Sequence, residues 1–173
     1  SVVTTTGFVS ADFTMWSFFV TSIFFSLFFL GGSAGSTSGG VKIVRHIIML
    51  KNSFLEFKKS LHPNAIIPVR YDGKAVKQTI VFNILSFFVL YMGIFITGTI
   101  ILSFFGLDFY SALGACASSL GNIGPAIGSV SPVSNFNHLS TAAKWFCSFL
   151  MLIGRLELFT VLILFTPFFW RKN

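Results

Sequence analysis

Runs of apolar residues alternate with polar breaks along this chain and predict a series of helices. The first apolar run covers about residues 14–30, a longer uninterrupted run covers about 78–105, and the last covers about 138–170. At 1.5 Å per residue the first run measures about 25 Å, slightly short for a full membrane span. The longer runs are typical of membrane spans. The pattern therefore predicts an all-α membrane protein.

The first apolar run ends in ten small, uncharged residues. Half of residues 31–40 are glycines, which cost a helix about 1 kcal/mol each and tolerate positive φ, so a break between helices is predicted. Such a composition also fits a flexible linker. A phosphate-binding loop is disfavoured because no lysine follows at the P-loop spacing. The members are Gly31, Gly32, Ser33, Ala34, Gly35, Ser36, Thr37, Ser38, Gly39 and Gly40.

Helical periodicity returns after this break. Six residues that recur at helical spacing, all polar or charged except Met49, mark one side of the predicted helix: Lys42, Arg45, Met49, Asn52, Glu56 and Lys59. The opposite side carries apolar residues, namely Ile43, Ile47, Leu50, Phe54 and Phe57. This spacing predicts an amphipathic helix. Residues 60–77 hold two prolines and several charges, and they predict a connecting loop.

A shorter helix of small residues is predicted over about residues 108–120, followed by a Gly-, Pro- and Ser-containing loop over 121–137. The helix is too short to cross a bilayer, so we interpret it as a re-entrant element. A re-entrant element does not cross the membrane, so the chain after residue 77 contains two crossings, one outward and one inward.

Composition supports the membrane class and gives an orientation. Charged residues make up 10% of the chain, against about 25% in an average soluble domain. Eight of the twelve Lys and Arg residues lie between Lys42 and Lys77, and Arg171 and Lys172 lie at the end. Two crossings between these groups would put both in the cytoplasm, as the positive-inside rule requires. The net charge of +7 is thus explained by the membrane topology of the chain rather than by binding to nucleic acid.

The reactive side chains form no constellation that indicates catalysis. Cys116 and Cys147 lie in apolar surroundings without metal-ligand spacing, and we interpret them as packing residues. The histidines, His46, His62 and His138, are scattered along the sequence. The sequence therefore predicts neither an enzyme nor a cofactor site.

Two parts of the chain repeat the same order of elements. Residues 5–8 lead into a span broken at Gly31, and residues 121–125 lead into a span containing Gly154. Span, re-entrant helix, extended loop and span is the layout of a potassium-channel pore unit. In such a unit, backbone carbonyls of the extended loop replace the hydration shell of a cation.

Four segments in order resemble the Trk/Ktr/HKT superfamily of potassium transporters, closest to the Trk type. They are TTTGF at 4–8, GGSAGSTSGGVK at 31–42, HPNAIIPVR at 62–70, and LGNIGP at 120–125 with GRLE at 154–157. The resemblance implies that residues 1–59 end the third pore repeat, 60–77 form a cytoplasmic connection and 78–173 form the fourth repeat. It also implies that the first two repeats, and the opening span and pore helix of the third, are absent from this sequence.

The resemblance assigns roles to particular residues. The implied selectivity filter consists of Thr5, Thr6, Gly7, Asn122, Ile123 and Gly124. In the family a glycine at this position goes with potassium preference, so K⁺ is the implied transported ion. A serine in the first loop shifts the preference toward sodium, and a sodium-conducting member stays an alternative because that loop is not in this sequence.

The implied gate combines residues 31–40 with Arg155. A charge deep in a membrane costs at least about 2.5 kcal/mol, so Arg155 should face protein or water and find a partner. We favour an orientation toward the pore axis, beside the glycine-rich stretch, where the guanidinium could donate hydrogen bonds and repel cations. A structural pair with Glu157 is the alternative. No catalytic residue is implied, and metal binding is confined to K⁺ at the filter.

The resemblance further implies a multi-pass protein of the cytoplasmic (inner) membrane. Its implied partners are the missing repeats of the same subunit, a second copy in a homodimer, a cytoplasmic nucleotide-binding regulatory subunit and membrane lipid. Two other functions stay open from the residues alone. One is a broken-helix secondary transporter for another cation or solute, and the other is a non-conducting membrane scaffold.

Overall fold

The computed structural model describes residues 1–33, 35–36, 38–61 and 68–156. The helices are α1 (Phe18–Leu27), α2 (Ile43–Leu61), α3 (Gln78–Phe104), α4 (Phe109–Gly121) and α5 (Thr141–Arg155). The strands are β1 (Leu30–Gly31), β2 (Val41–Lys42), β3 (Arg70–Tyr71) and β4 (Lys74–Ala75). The predicted mainly helical fold is therefore confirmed.

The third and fourth helices follow the sequence pattern closely. Helix α3 covers 27 residues, 18 of which form a stretch with a mean hydropathy of 2.2, and among the described residues it alone is long and apolar enough to cross a membrane. Helix α4 covers 13 residues, about 20 Å at 1.5 Å per residue. Its length agrees with the predicted short helix.

The first apolar run contains a shorter helix than predicted. Instead of one helix over residues 14–30, a turn of 3-10 helix (Phe13–Met15) precedes α1. Ser17 is extended, with φ −158° and ψ 150°, and its hydroxyl accepts a hydrogen bond from the Phe19 amide at 3.2 Å. This N-cap starts α1 afresh, because a capping serine has non-helical dihedrals.

The predicted loop over residues 60–77 is also partly wrong. Helix α2 continues to Leu61, and strands β3 and β4 pair in antiparallel fashion within the supposed loop. Asp72 and Gly73 join the strands with φ values of 50° and 72°. A two-residue Asp-Gly turn favours this hairpin because both of its residues must adopt positive φ. Residues 62–67 lie outside the described residues.

Helix α4 is the centre of the main core. It packs between α3 and α5, and most of its side chains are buried, including Cys116 and Leu120. Gly98 of α3 allows a close approach, since a Cβ atom there would lie 2.8 Å from Cys116 Sγ. Cys147 of α5 is buried in the same core, and both thiols are free, as their interpretation as packing residues predicts.

Helix α2 confirms the predicted amphipathic pattern, with its apolar side turned outward. Exposed apolar residues on that side are Ile43, Leu50, Phe54, Phe57 and Leu61. Helix α2 packs on α3, and the Arg45 guanidinium lies 4.0 Å from the Phe87 ring centroid. A second, smaller core joins α2, α3 and the start of the hairpin, with Ile48, Val69, Val81 and Ile84 at its centre.

Helix α5 begins where Ser140 caps it. The Ser140 hydroxyl accepts a hydrogen bond from the Ala143 amide at 3.3 Å. The helix ends at Arg155 with Leu156 as its C-cap. The remainder of the predicted last span, together with Glu157, Arg171 and Lys172, lies outside the described residues.

Candidate functional site

The start of α4 is fixed by two linked hydrogen bonds. Asp108 caps the helix by accepting from the Ser111 amide at 3.1 Å. Hydrogen bonds from the Ser111 side chain and backbone hold the pKa of the Asp108 carboxyl below its usual range. The Ser111 hydroxyl also accepts from the Ser129 amide at 2.7 Å. The loop after α4 is thereby tied back to the start of the helix.

The C-terminal end of α4 leads directly into residues 122–124. Asn122 adopts the left-handed conformation, with φ 55° and ψ 43°, and its amide donates to Ser119 O at 3.2 Å. The next amide, of Ile123, donates to Ser118 O at 3.0 Å. Gly124 follows with φ 109°. These bonds turn the chain sharply away from the helix axis.

Residues 5–7 repeat this backbone arrangement. Thr5 has φ 54° and Gly7 has φ 81°, so the first and third residues of both segments have positive φ. The Thr5 amide donates to Val2 O at 3.1 Å, and the Thr6 amide donates to Ser1 O at 3.0 Å. Each bond has the same sequence separation as its counterpart at residues 122–124. The similarity between the two sequences therefore extends to their conformations.

The two candidate filter segments lie side by side. A Cβ atom at Gly7 would lie 2.6 Å from Ile123 O and 3.6 Å from Pro125 Cδ. A Cβ atom at Gly124 would lie 3.8 Å from Gly7 Cα. Gly7 is half-buried and Gly124 is exposed. At Gly7, both positive φ and lack of space require glycine.

The glycine-rich stretch is a loop whose two ends meet. Strands β1 and β2 pair in parallel, with Leu30 opposite Val41 and Gly31 opposite Lys42. Beside this pairing, the Ile43 amide donates to Gly32 O at 3.2 Å. The chain between α1 and α2 therefore forms a loop whose two ends are held together by the pairing of β1 with β2.

Hydrogen bonds of serine hydroxyls hold the described part of this loop together. Ser38 Oγ accepts from the Gly32 amide at 3.0 Å and lies 2.7 Å from Ser36 Oγ. The Ser36 hydroxyl donates to Ser33 O at 2.7 Å. Gly35 has φ 83° at the turn. Ala34 and Thr37, which the sequence also assigns to the gate, lie outside the described residues.

Gly39 brings the loop into contact with both candidate filter segments. Its amide donates to Thr5 Oγ1 at 3.3 Å. A Cβ atom at Gly39 would lie 2.5 Å from Gly121 O and 2.9 Å from Asn122 Cβ. Gly39 is buried. The loop therefore fills the space against the bases of both segments, and only a residue without a side chain fits there.

Helix α5 approaches the same place from another side. Asn122 Nδ2 donates to Met151 O at 3.0 Å. A Cβ atom at Gly154 would clash with Leu120 O and lie 2.8 Å from Asn122 Nδ2. Arg155, the next residue, has an exposed side chain at the end of α5. Arg155 thus directly follows Gly154, the residue at which α5 lies against Leu120 and Asn122.

The Asn122 and Ser118 side chains have contacts that the sequence analysis did not anticipate. The Asn122 amide bonds to α5. Ser118 was not predicted, yet its hydroxyl donates to Gly124 O at 2.9 Å and accepts from Gly124 N at 3.2 Å. A signal for Ser118 exists in the sequence, because a serine stands six residues before each candidate filter glycine, at Ser1 and Ser118.

Among the described residues, no group of three or more His, Cys, Asp or Glu side chains could hold a metal ion. The polar groups around the two candidate filter segments are instead backbone carbonyls, amides and small hydroxyls.

Comparisons with known proteins identify the relatives of this chain. A protein-family model described as "TrkH: Cation transport protein" matches residues 1–172. The Trk system potassium uptake protein TrkH of Escherichia coli (strain K12) is 37% identical over 172 residues, 99% of this chain and 35% of that protein. The potassium uptake protein TrkI of Halomonas elongata is 38% identical over 174 residues.

A solved structure is similar over the same extent. The crystal structure of the potassium transporter TrkH from Vibrio parahaemolyticus matches with a TM-score of 0.90 and 38% identity, covering 98% of this chain and 36% of that one. The chain thus spans about a third of the length of the relatives it matches. It belongs to the TrkH family of cation transport proteins, which are integral membrane proteins.

Proposed function

We propose that this chain forms part of a protein that takes up potassium ions across the cytoplasmic membrane. The observation that carries the proposal is the pairing of residues 5–7 with residues 122–124 in the same conformation. Relatives with 37% and 38% identity are named potassium uptake proteins, which supports the choice of ion. The proposed conduction path runs along this pair of segments.

In this proposal the ion ligands are backbone carbonyl oxygens of residues 5–7 and 122–124. Carbonyl rings replace the hydration shell of K⁺ without a fixed charge, which lets the ion leave again. Positive φ at the first and third residues of each segment allows successive carbonyls to turn toward one side. Two further filter loops from repeats outside this chain would complete the ring.

The proposed gate is the loop of residues 31–40 together with Arg155. Gly39 touches Thr5 and the base of residues 122–124, so the loop occupies the space next to the candidate filter. The Arg155 guanidinium would donate hydrogen bonds to loop carbonyls and repel cations in the closed state. A loop that is closed at its base by strands β1 and β2 can move as a unit while α1 and α2 keep their places.

The partners and domain limits are part of the same proposal. Residues 1–59 would end a third pore repeat, 60–77 would connect it in the cytoplasm and 78–173 would form the fourth repeat. The basic residues between Lys42 and Lys77 would face a cytoplasmic nucleotide-binding regulatory subunit. The exposed apolar side of α2 would be covered by lipid, by the missing repeats or by a second copy in a homodimer.

Flux measurements on the full-length protein in liposomes test the function. We expect selective uptake of K⁺, and of Rb⁺ as its close substitute, over Na⁺, down the electrochemical gradient. Organic solutes should not be transported. Transport of an organic solute would support a secondary transporter instead, and comparable Na⁺ flux would support a sodium-conducting protein.

Arg155→Ala tests the gate. We expect basal K⁺ flux to rise by about tenfold, because a hydrogen bond to a charged group contributes about 1.5–3 kcal/mol to the state that contains it. Lys144→Ala is the matched control, since it removes a positive charge from the other end of α5, where Lys144 Nζ donates to Asn137 O at 2.8 Å. Unchanged basal flux in Arg155→Ala at normal expression would refute a gating role for this residue.

A further inference from the structure

Ser118 is buried on α4 and contacts the backbone of Gly124 twice through a single hydroxyl group. It donates to Gly124 O at 2.9 Å and accepts from Gly124 N at 3.2 Å. These two atoms belong to successive peptide groups, the 123–124 group and the 124–125 group. One hydroxyl therefore restrains the rotation of both peptide planes that flank the candidate filter glycine.

The restraint determines where the Ile123 carbonyl points. In a trans peptide the N–H and C=O groups point in opposite directions. Because Gly124 N–H points toward Ser118 on α4, the C=O group of Ile123 points away from α4. Ile123 O lies toward Gly7, 2.6 Å from the position a Cβ atom would take there. The carbonyl is thus directed toward the neighbouring candidate filter segment.

The first segment contains a counterpart to Ser118. Ser1 lies six residues before Gly7, as Ser118 lies six residues before Gly124. The Ser1 hydroxyl donates to Phe8 O, the carbonyl that follows Gly7 by one residue. In both segments a serine hydroxyl therefore donates a hydrogen bond to a backbone carbonyl, which belongs to the glycine itself in one segment and to the next residue in the other.

We infer that Ser118 is a positioning residue for ion selectivity, which acts by fixing the Gly124 peptides so that the Ile123 carbonyl stays turned away from α4, on the side of Gly7 and of the proposed ion path. The inference rests on the proposed function, since it presumes that residues 122–124 line that path. Without the hydroxyl, both Gly124 groups lose a buried partner and the flexible glycine peptides can rotate. Rotation would replace an inward carbonyl by an amide N–H, which repels a cation.

The test is the Rb⁺ to Na⁺ flux ratio of the full-length protein in liposomes, for Ser118→Ala against wild type. We expect the ratio to fall by about fivefold, the scale of one lost hydrogen bond, while the amount of folded protein stays normal. Ser118→Thr retains the hydroxyl and should retain at least half of the wild-type ratio.

Ser119→Ala is the matched control. Ser119 is the adjacent residue of α4, it is equally buried, and its hydroxyl lacks the hydrogen bonds to Gly124 that the Ser118 hydroxyl makes. Removing that hydroxyl should leave the flux ratio at the wild-type value. If removing any buried hydroxyl from α4 disturbs the helix, the Rb⁺ to Na⁺ flux ratio should fall in both variants. If Ser118 positions the Gly124 peptides, the flux ratio should fall in Ser118→Ala only.

The outcomes separate this inference from the function on which it rests. A wild-type protein without K⁺ or Rb⁺ selectivity would overturn both. A selective wild type with an unchanged ratio in Ser118→Ala would overturn the role of Ser118 alone. If Ser118→Ala does not fold, Ser118→Cys keeps the volume with a weaker donor, and a wild-type ratio in that variant would equally overturn the inference.

Discussion

Replacing Gly7 by alanine is expected to abolish K⁺ uptake by the full-length protein. Gly7 has φ 81°, and a Cβ atom would lie 2.6 Å from Ile123 O. A side chain in this backbone region costs about 1–3 kcal/mol before any clash is counted. Each 1.4 kcal/mol corresponds to a factor of about ten, so uptake should fall by more than about tenfold. The uptake rate per amount of protein in the membrane is the measurement.

A control for Gly7→Ala is available in the hairpin turn between β3 and β4. Gly73 has a similar φ of 72°, but no described atom lies within 4 Å of a Cβ atom built there. Gly73→Ala thus adds a comparable backbone strain without the clash against residues 122–124. We expect uptake within about twofold of wild type, because strain in an exposed turn costs stability rather than function. Normal uptake by Gly7→Ala would remove residues 5–7 from the proposed filter.

The second large effect is expected at Gly39. A methyl group at this position would lie 2.5 Å from the backbone oxygen of Gly121 and 2.9 Å from Asn122 Cβ, both closer than real Cβ atoms come to other heavy atoms. The loop would have to move away from Gly121 and Asn122. Because the proposed closed state requires that contact, Gly39→Ala should raise basal cation flux by about tenfold or more.

Gly93→Ala supplies the comparison for Gly39→Ala. Gly93 lies within α3, and no described atom lies within 4 Å of a Cβ atom there. The same methyl group should leave basal flux unchanged, and it should stabilise the helix by up to about 1 kcal/mol. Basal flux in Gly39→Ala that stays at the wild-type level, with normal expression, would contradict the proposed gate.

Local sequence signals predicted the positions of several helices well. Helices α3 and α4 begin and end within one residue of the predicted limits, because an uninterrupted apolar run and a short run of small residues leave few alternatives. Predictions were wrong where capping and turn residues act within a run. Ser17 divides the first run, and Asp72 with Gly73 makes a hairpin inside a supposed loop.

For the candidate site, the sequence pointed to three segments that the structure brings into contact, without giving the contacts themselves. Glycine pairs and the resemblance to a transporter family directed attention to residues 5–7, 31–40 and 122–124. The position of Arg155 in the middle of a span stays a prediction, because the second half of that predicted span lies outside the described residues. Ser118 has no distinctive local pattern on its small-residue helix, and its only sequence signal appears when the serines six residues before Gly7 and Gly124 are compared.

The sequence by itself determined the membrane class and the break between α1 and α2. Both follow from local composition, namely apolar runs and glycines that weaken a helix, whereas the two glycine-containing segments were indicated by the repeat and the family resemblance. Only the tertiary structure decided that Gly39 lies against both segments and that Ser118 holds Gly124. The physical reason is that these contacts form only when α1, α4 and α5 pack against one another. A glycine in the sequence does not show which part of the chain will lie against it.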